Sequence, residues 1–289
     1  MSQQRVWLIT GANSGFGTEF VHQVLARGDK VIATGRNPDK LIASLGNTTA
    51  HLLRLDVTSS LEELKAIAEQ AEKVYGRIDV LVNNAGYVEM GTIEESTPDR
   101  TFEQFNTNVF GMLNVIRAFL PYMRERRSGS IVNIGSVAGW MGIPVSGLYC
   151  ASKWAVAALS EALKGEVGQF GIEVHCIEPG YFATSLLTPS NLMMNKSRSI
   201  TDYAQLNQTL EDTFTNTNGQ QLGSPKKGVA RMIEAVTHTG YAEGKEIPTR
   251  VVVGRDAYEM AGNIMAKWEK ERQEWKEWSE DAVRDDIEM

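Results

Sequence analysis

Residues 6–17 read VWLITGANSGFG. A short apolar run is followed at once by a turn that contains Gly11, Gly15 and Gly17, and a helical pattern begins near Gly15. A strand, a glycine turn and a helix N-terminus in this order bring backbone N–H groups and the positive end of the helix dipole together, and glycine allows an anion to approach the backbone closely. Glycine turns also arise for conformational reasons alone. The position directly after the first strand favours a pyrophosphate-binding site.

Short β-rich runs alternate with helical patterns from Val6 to Ile177. The runs lack the alternation of inward and outward side chains seen in half-exposed sheets, which is typical of parallel strands covered by helices on both faces. The pattern therefore predicts an α/β fold, a doubly wound parallel sheet of the Rossmann type in a single domain over residues 1–289. The predicted strands are Val6 to Thr10, Lys30 to Thr34, His51 to Leu55, Ile78 to Val82, Ser130 to Ile134 and Ile172 to Ile177.

Composition excludes several classes of function. The 289 residues include 29 Lys and Arg against 36 Asp and Glu, and the net charge of −7 has the wrong sign for binding a nucleic-acid backbone. The two cysteines, Cys150 and Cys176, suggest neither a disulfide framework nor a metal site. No signal peptide precedes the first strand and no apolar run is long enough to span a membrane, so we expect a cytoplasmic protein without a membrane span.

The end of the second predicted strand, residues 33–37, reads ATGRN. Sites for NAD usually place a carboxylate here to bind the ribose hydroxyls, but this stretch has no acidic residue. The guanidinium of Arg36 can instead pair with a 2′-phosphate, which favours NADP(H) as the cofactor. The alternative is that Arg36 is an ordinary solvated surface charge.

Residues 149–153 read YCASK and open a helix of small residues, so Tyr149 and Lys153 share one helical face. An ammonium about 4 Å from a phenol at an effective dielectric of ~20 favours the phenolate by about 4 kcal/mol, or on the order of three pKa units. The pair is therefore expected to lower the pKa of Tyr149 toward neutral pH, where a general acid or base works best. Ser136 follows the strand that starts at Ser130 and can hold a substrate oxygen in the same cleft. In isolation, a surface Tyr–Lys pair is the commoner outcome.

The motifs occur in an order that resembles the short-chain dehydrogenase/reductase family: TGxxxGxG at 10–17, NNAG at 83–86, Ser136, YxxxK at 149–153 and Pro179-Gly180. The resemblance covers about residues 5–184. It implies a catalytic tetrad in which Asn108 holds a water that connects Lys153 to solvent. It also implies that residues 179–184 pack against the nicotinamide. The implied catalytic residues are Ser136, Tyr149, Lys153 and Asn108, and the implied cofactor contacts are Gly11, Asn13, Ser14, Gly15, Phe16, Gly17, Arg36, Asp56, Val57, Asn84, Ala85, Gly86, Tyr149, Lys153, Pro179, Gly180, Phe182 and Thr184.

Two of these residues have an alternative explanation from the sequence alone. Asp56 can be the N-cap of the helix that starts near Ser60, and Asn108 can be a helix-interior asparagine with local hydrogen bonds.

The resemblance implies an NADP(H)-dependent oxidoreductase that interconverts a ketone and a secondary alcohol, with Tyr149 as general acid and base. It is nearest the branch of steroid- and retinol-dehydrogenase-like enzymes, which implies a bulky, largely apolar small-molecule substrate. The alternatives are non-redox chemistry on the same fold (isomerisation, dehydration or cyclisation) and a non-catalytic NADP(H)-binding protein. The expected pocket wall consists of Tyr87, Val88, Trp140, Met141, Leu186, Leu187, Met193 and Met194.

Two regions lie outside the motifs. Residues 184–224 interrupt the alternation and are interpreted as a substrate-side insertion, with a surface helix pair as the alternative. Residues 257–289 form a predicted C-terminal helical extension, where Trp268, Trp275 and Trp278 are expected near one face that packs on the core or a subunit. The resemblance also implies a homodimer or homotetramer, through the helix of Tyr149 and residues 99–127.

Overall fold

The structure, a computed structural model, describes residues 4–187, 192–194 and 200–282. These residues form nine strands and ten α-helices. In chain order the strands are β1 (Val6–Ile9), β2 (Lys30–Gly35), β3 (His51–Arg54), β4 (Val80–Asn83), β5 (Val88–Met90), β6 (Gly129–Ile134), β7 (Ile172–Pro179), β8 (Leu192–Met194) and β9 (Arg250–Val253). The helices are α1 (Gly15–Ala26), α2 (Pro38–Leu45), α3 (Leu61–Tyr75), α4 (Pro98–Phe105), α5 (Met112–Arg126), α6 (Gly147–Val167), α7 (Ala204–Thr217), α8 (Pro225–Thr237), α9 (Arg255–Glu274) and α10 (Lys276–Glu280).

Seven strands form one parallel sheet in the order β3-β2-β1-β4-β6-β7-β9. The chain winds outward from β1 to β3 and then returns to place β4 on the other side of β1, so the topological switch point lies between β1 and β4. Ligands bind at the carboxyl ends of the strands at such a point. The doubly wound parallel sheet of the sequence analysis is confirmed.

Helices cover both faces of this sheet. Helices α3, α5 and α6 pack on one face and helices α1, α2 and α8 on the other. Along β1, Leu8 faces the first layer, whereas Trp7 and Ile9 face the second, and all three are fully buried. Because neither face meets solvent, the strands need apolar side chains on both sides, which explains their continuous apolar runs.

Three features are not predicted by the sequence patterns. Strand β9 adds a seventh strand beside β7, strands β5 and β8 form a separate parallel ribbon, and residues Asn106–Gly111 form a π-helical turn between α4 and α5. Each strand involved is only three or four residues long. Such short strands exist through pairing with a distant segment, so local periodicity carries little signal for them.

The C-terminal extension is helical, but its three tryptophans do not share one packed face. Helix α9 ends at Glu274, and the backbone of Trp275 leaves the helical conformation before α10 begins. Trp268 packs against Trp140 and Trp154, whereas Trp275 and Trp278 contact each other and are exposed. The prediction of one shared face is therefore wrong beyond Trp268. Neither α9 nor any other helix within residues 4–187 and 200–282 has the length and apolarity that crossing a bilayer requires.

Candidate active site

The glycine turn after β1 packs against the protein's own backbone. Gly11 and Gly15 have φ values of +63° and +54°, which favour glycine. A Cβ at Gly11 would lie 2.9 Å from the Cα of Ala85, and a Cβ at Gly17 would overlap the carbonyl oxygen of Gly11. Gly17 therefore serves the close packing of α1 on the turn, while Gly11 allows the turn to touch the segment after β4.

Hydrogen bonds fasten that segment to the turn. The Asn84 side chain donates from Nδ2 to the carbonyl oxygens of Thr10 and Gly11, both at 3.0 Å. The hydroxyl of Thr10 accepts from the N–H groups of Asn84 at 3.0 Å and Ala85 at 3.1 Å. The glycine turn and residues 84–85 thus form one unit at the switch point. Thr10 is a structural residue that the sequence analysis did not single out, although it opens the TGxxxGxG motif.

The N-terminus of α1 offers N–H groups to an anion. Ser14 occupies the N-cap position with extended backbone, its side chain makes no capping hydrogen bond, and the first turn contains no acidic residue. The side chain of Asn13 lies over the end of β2, where its Oδ1 would be 3.5 Å from a Cβ at Gly35. Arg36 follows directly and is exposed, and no ion pair of the described residues involves it. This end of the sheet is therefore cationic and accessible.

Asp56 does not cap the next helix. Helix α3 is capped by Ser60, whose side chain exchanges hydrogen bonds with Glu63 in a capping box. Asp56 instead accepts from the backbone N–H of Thr58 at 3.0 Å and from its hydroxyl at 2.8 Å. The N-cap alternative for Asp56 is wrong, and its carboxylate is held at the carboxyl end of β3. Its neighbour Val57 is buried against the π-helical turn.

Tyr149, Lys153 and Ser136 meet at the carboxyl edge of β6. The ammonium of Lys153 donates to the carbonyl oxygen of Ile134 at 2.7 Å and lies 5.7 Å from the ring centre of Tyr149. Ser136 forms a hydrogen bond with the Tyr149 side chain, and its Oγ also accepts from the N–H of Ala138 at 3.1 Å. The i and i+4 spacing on α6 brings the phenol and ammonium to one place, and the end of β6 supplies the serine.

The pKa of Tyr149 shifts in the opposite direction from the prediction. Burial raises the pKa of Tyr149 to about 12, and the hydrogen bond with Ser136 opposes the rise. Burial also lowers the pKa of Lys153 to about 8. The physical reason is that both charged forms lose water, while the ammonium is bonded to a strand carbonyl. The phenol of Tyr149 therefore holds its proton at neutral pH.

Asn108 lies in the π-helical turn and is buried. Its Nδ2 donates to the Tyr87 carbonyl and to the Ser152 hydroxyl, both at 3.1 Å, and its Oδ1 accepts from the N–H of Tyr87 at 3.2 Å. These bonds reach the segment after β4 and helix α6, so the local-bonding alternative is wrong. A Cβ at Gly86 would lie 3.2 Å from Oδ1 of Asn108 and 3.9 Å from Nζ of Lys153. The absence of a side chain at Gly86 therefore leaves room for both side chains.

Residues 179–184 close over the glycine turn. The backbone N–H of Gly180 donates to the carbonyl of Val253 at 3.0 Å. The ring of Phe182 meets that of Phe16 edge-on, with 5.2 Å between centroids. A Cβ at Gly15 would lie 3.3 Å from the Cβ of Thr184. The fold thus brings residues 179–184, the PGYFAT segment, to the start of α1. Contact of this segment with a nicotinamide stays a prediction.

Tyr149 packs against a small apolar cluster. Three of its members are buried, and side chains from residues 181–186 and from α7 pack against them. Leu210 and Phe214 are one helical turn apart in α7, a spacing that could have indicated them. The buried members are Val88, Met90 and Val145, and the residues packed on them are Tyr149, Tyr181, Leu186, Leu210 and Phe214.

The expected pocket wall agrees with this cluster only in part. Val88 and Leu186 belong to it. The indole of Trp140 points elsewhere: it donates to Glu178 at 2.8 Å and stacks on Trp268. The side chains of Leu187, Met193 and Met194 lie outside the described residues.

Within the described ranges, no three His, Cys, Asp or Glu side chains are grouped as metal ligands would be. The sequence profile described as short chain dehydrogenase matches residues 5–195. This chain belongs to the short-chain dehydrogenase family. By that membership it is an oxidoreductase.

Individual similar proteins are consistent with this family assignment. The 3-ketodihydrosphingosine reductase of Bacteroides thetaiotaomicron is 40% identical over 212 residues, which make up 73% of this chain and 74% of the relative. A short-chain dehydrogenase from Streptomyces avermitilis superposes with a TM-score of 0.85 at 34% identity, covering 98% of this chain and 100% of that protein. ElxO, solved with NADP bound, has a TM-score of 0.67 at 26% identity and covers 86% of this chain and 96% of its own. The structural likeness therefore extends past residue 195.

Proposed function

We propose that this short-chain dehydrogenase uses NADP(H) to interconvert a ketone and a secondary alcohol on a bulky, largely apolar small molecule. The observation that carries the proposal is the meeting of Tyr149, Lys153 and Ser136 at the carboxyl edge of β6, with Lys153 next to Gly86 and Tyr149 packed on an apolar cluster. A proton donor, a cation and a hydroxyl beside an anion-binding helix end are the groups that carbonyl reduction by a dinucleotide needs.

The residues present fit NADP(H). The uncapped start of α1, with no acidic residue in its first turn, suits the pyrophosphate. Arg36, with Asn13 beside it, suits a 2′-phosphate, because the guanidinium is exposed and the end of β2 carries no carboxylate. The solved relative ElxO contains NADP. We propose that the other parts of NADP(H) contact Asp56 and Val57, Asn84 to Gly86, and residues 179–184.

Four side chains of the candidate site have different roles in the proposed proton transfer. When bound, the reduced cofactor supplies a hydride to the carbonyl carbon. Ser136 donates a hydrogen bond to the carbonyl oxygen of the substrate. The Oγ of Ser136 accepts a hydrogen bond from the N–H of Ala138, so the hydroxyl hydrogen points away from that amide. Burial keeps the pKa of the Tyr149 phenol high, so the phenol is still protonated at neutral pH and can give this proton to the same oxygen as the hydride reaches the carbon. We assign the return of a proton to Tyr149 to Lys153 and Asn108, whose side chains both lie next to Gly86.

The substrate proposal rests on the apolar cluster. Side chains from β5, from residues 181–186 and from α7 share one apolar cluster with Tyr149, which suits an apolar body attached to the ketone. The name of the Bacteroides relative specifies a ketone substrate, 3-ketodihydrosphingosine. Residues 184–224 would then act as the substrate-side insertion. Cytoplasmic location and assembly into a homodimer or homotetramer stay predictions.

Reduced-nicotinamide absorbance tests the proposal with cyclohexanone, 2-decalone and 2-tridecanone as probes. We expect ketone-dependent loss of NADPH, fastest with the larger ketones. Tyr149→Phe should lower kcat/KM by about 10²- to 10⁴-fold while NADPH still binds. The control is Tyr241→Phe, at a tyrosine that is 76% exposed. NADPH binding without consumption of any ketone would favour the non-catalytic alternative, and product formation without loss of NADPH would favour non-redox chemistry.

A further inference from the structure

Asp256 lies in the first turn of α9, beyond residues 5–184, which carry the main sequence resemblance. Its Oδ2 accepts a hydrogen bond from the backbone N–H of Tyr181 at 2.6 Å. Tyr181 belongs to the segment that closes over the glycine turn. The C-terminal helix therefore makes a direct polar contact with the PGYFAT segment across 75 residues of sequence.

Two glycines make room for this carboxylate. A Cβ at Gly180 would overlap both carboxylate oxygens of Asp256, and a Cβ at Gly254 would lie 2.7 Å from Oδ1. Gly180 has no positive φ, so the glycine is not required by backbone conformation. The absence of a side chain at Gly180 is explained by the carboxylate that occupies the space.

The same segment is held at three further places. The N–H of Ala183 donates to the carbonyl of Gly223 at 2.9 Å, and the N–H of Gly223 donates to the carbonyl of Tyr181 at 3.1 Å. The N–H of Gly180 bonds to the end of β9. Three of these four contacts join backbone to backbone, and Asp256 supplies the charged one. Hydrogen bonds to an ionised acceptor are shorter and stronger than neutral ones.

We propose that Asp256 is a positioning residue for the nicotinamide half of the cofactor site. It fixes residues 180–184 by holding the N–H of Tyr181, and this segment in turn places Thr184 beside Gly15. The inference rests on the proposed function, since it assigns the segment to the nicotinamide side. It predicts that loss of the carboxylate affects the nicotinamide end of NADPH and leaves the adenosine end unaffected.

The test compares two ligands on three variants. NADPH carries the nicotinamide, whereas 2′,5′-ADP contains only the adenosine half, and both affinities are measured by calorimetry. Asp256→Ala should weaken NADPH about tenfold and lower kcat/KM for 2-decalone by about tenfold to a hundredfold, while 2′,5′-ADP stays within about twofold. Asp256→Asn retains an acceptor oxygen and should stay within about threefold on every measure. Asp99→Ala is the matched control, because Asp99 is exposed and occupies the same position in the first turn of α4.

Gly180→Ala tests the contact between Asp256 and Tyr181 in a second way if Asp256→Ala does not fold. It displaces the carboxylate without removing it, so it should reproduce the selective loss of NADPH affinity. The double variant Gly180→Ala/Asp256→Ala should be no worse than the more impaired single variant, because both changes break one contact.

Equal weakening of NADPH and 2′,5′-ADP would overturn the inference, since it would show a general structural role. So would unchanged NADPH affinity and turnover in Asp256→Ala. Failure of the unmodified chain to bind NADPH or NADH is a different result: it would overturn the proposed function, and the inference with it.

Discussion

The two sides of the candidate cleft are built differently. The nucleotide side is made of backbone: glycines at Gly11 and Gly17 allow main-chain segments to touch, and Thr10 and Asn84 join them by hydrogen bonds of 3.0 to 3.1 Å. The substrate side is made of side chains from separate elements, including Phe214 of α7, packed around Tyr149. A backbone-built site fixes one ligand shape, whereas a wall of side chains can change with little effect on the rest of the fold.

The start of α7, on the substrate side, is likewise anchored through side chains. Glu95 accepts from Nδ2 of Asn207 at 2.9 Å and from the N–H of Ile200 at 3.3 Å, and the hydroxyl of Tyr203 donates to Glu94 at 2.7 Å. These few polar contacts hold residues 200–207 to the loop after β5. Substitutions in this region should therefore alter substrate choice more readily than cofactor binding.

The largest expected effect is on the pH dependence of the reaction, which follows the protonation of Tyr149 between the nucleotide side and the substrate side. Burial raises the pKa of Tyr149 to about 12, so the fraction of phenolate grows with pH throughout the neutral and alkaline range. Oxidation of 2-decalol needs the phenolate, and its kcat/KM should rise about tenfold per pH unit, or about a thousandfold from pH ~5 to ~8, below the range in which Lys153 with its pKa of about 8 loses its charge. Reduction of 2-decalone uses the protonated phenol and should stay flat from pH ~6 to ~8.

Steady-state rates in both directions across this range measure the profile. A plateau of the oxidation rate from near neutral pH would contradict the high pKa of Tyr149. It would instead support the lowered pKa that the Tyr149 and Lys153 spacing predicts from the sequence.

A smaller effect is expected at the nucleotide side. Arg36→Asp should shift the ratio of kcat/KM values for NADPH and NADH by about a hundredfold toward NADH, because a hydrogen bond to a charged group contributes about 1.5–3 kcal/mol. Arg117→Asp on α5 makes the same change of charge away from the cleft and should leave the ratio unchanged. Steady-state kinetics with each cofactor measure it. Equal use of both cofactors by the unmodified chain would contradict the pairing of Arg36 with a phosphate.

The contrast between the two sides also explains what the sequence could and could not predict. The six predicted strands and the glycine turn were found because each depends on a local run of residues, and the same holds for the helical spacing of Tyr149 and Lys153. The roles of Phe214 and Asp256 depend on contacts across long stretches of chain. The pKa of Tyr149 was predicted in the wrong direction because spacing shows which charge is near but does not show how deeply the pair is buried.

The smallest expected effect tests the substrate side alone. Phe214→Ala removes an aromatic ring from the cluster around Tyr149 and should lower kcat/KM for 2-tridecanone about tenfold, since apolar contacts with a substrate contribute about 1–3 kcal/mol. The value for cyclohexanone should stay within about twofold, because a small ring has less surface to lose. Phe102→Ala, at a phenylalanine that is 59% exposed on α4, is the control. Equal losses for both ketones would mean that Phe214 supports the position of Tyr149 itself, and the division between a fixed nucleotide side and an adaptable substrate side would then fail at this residue.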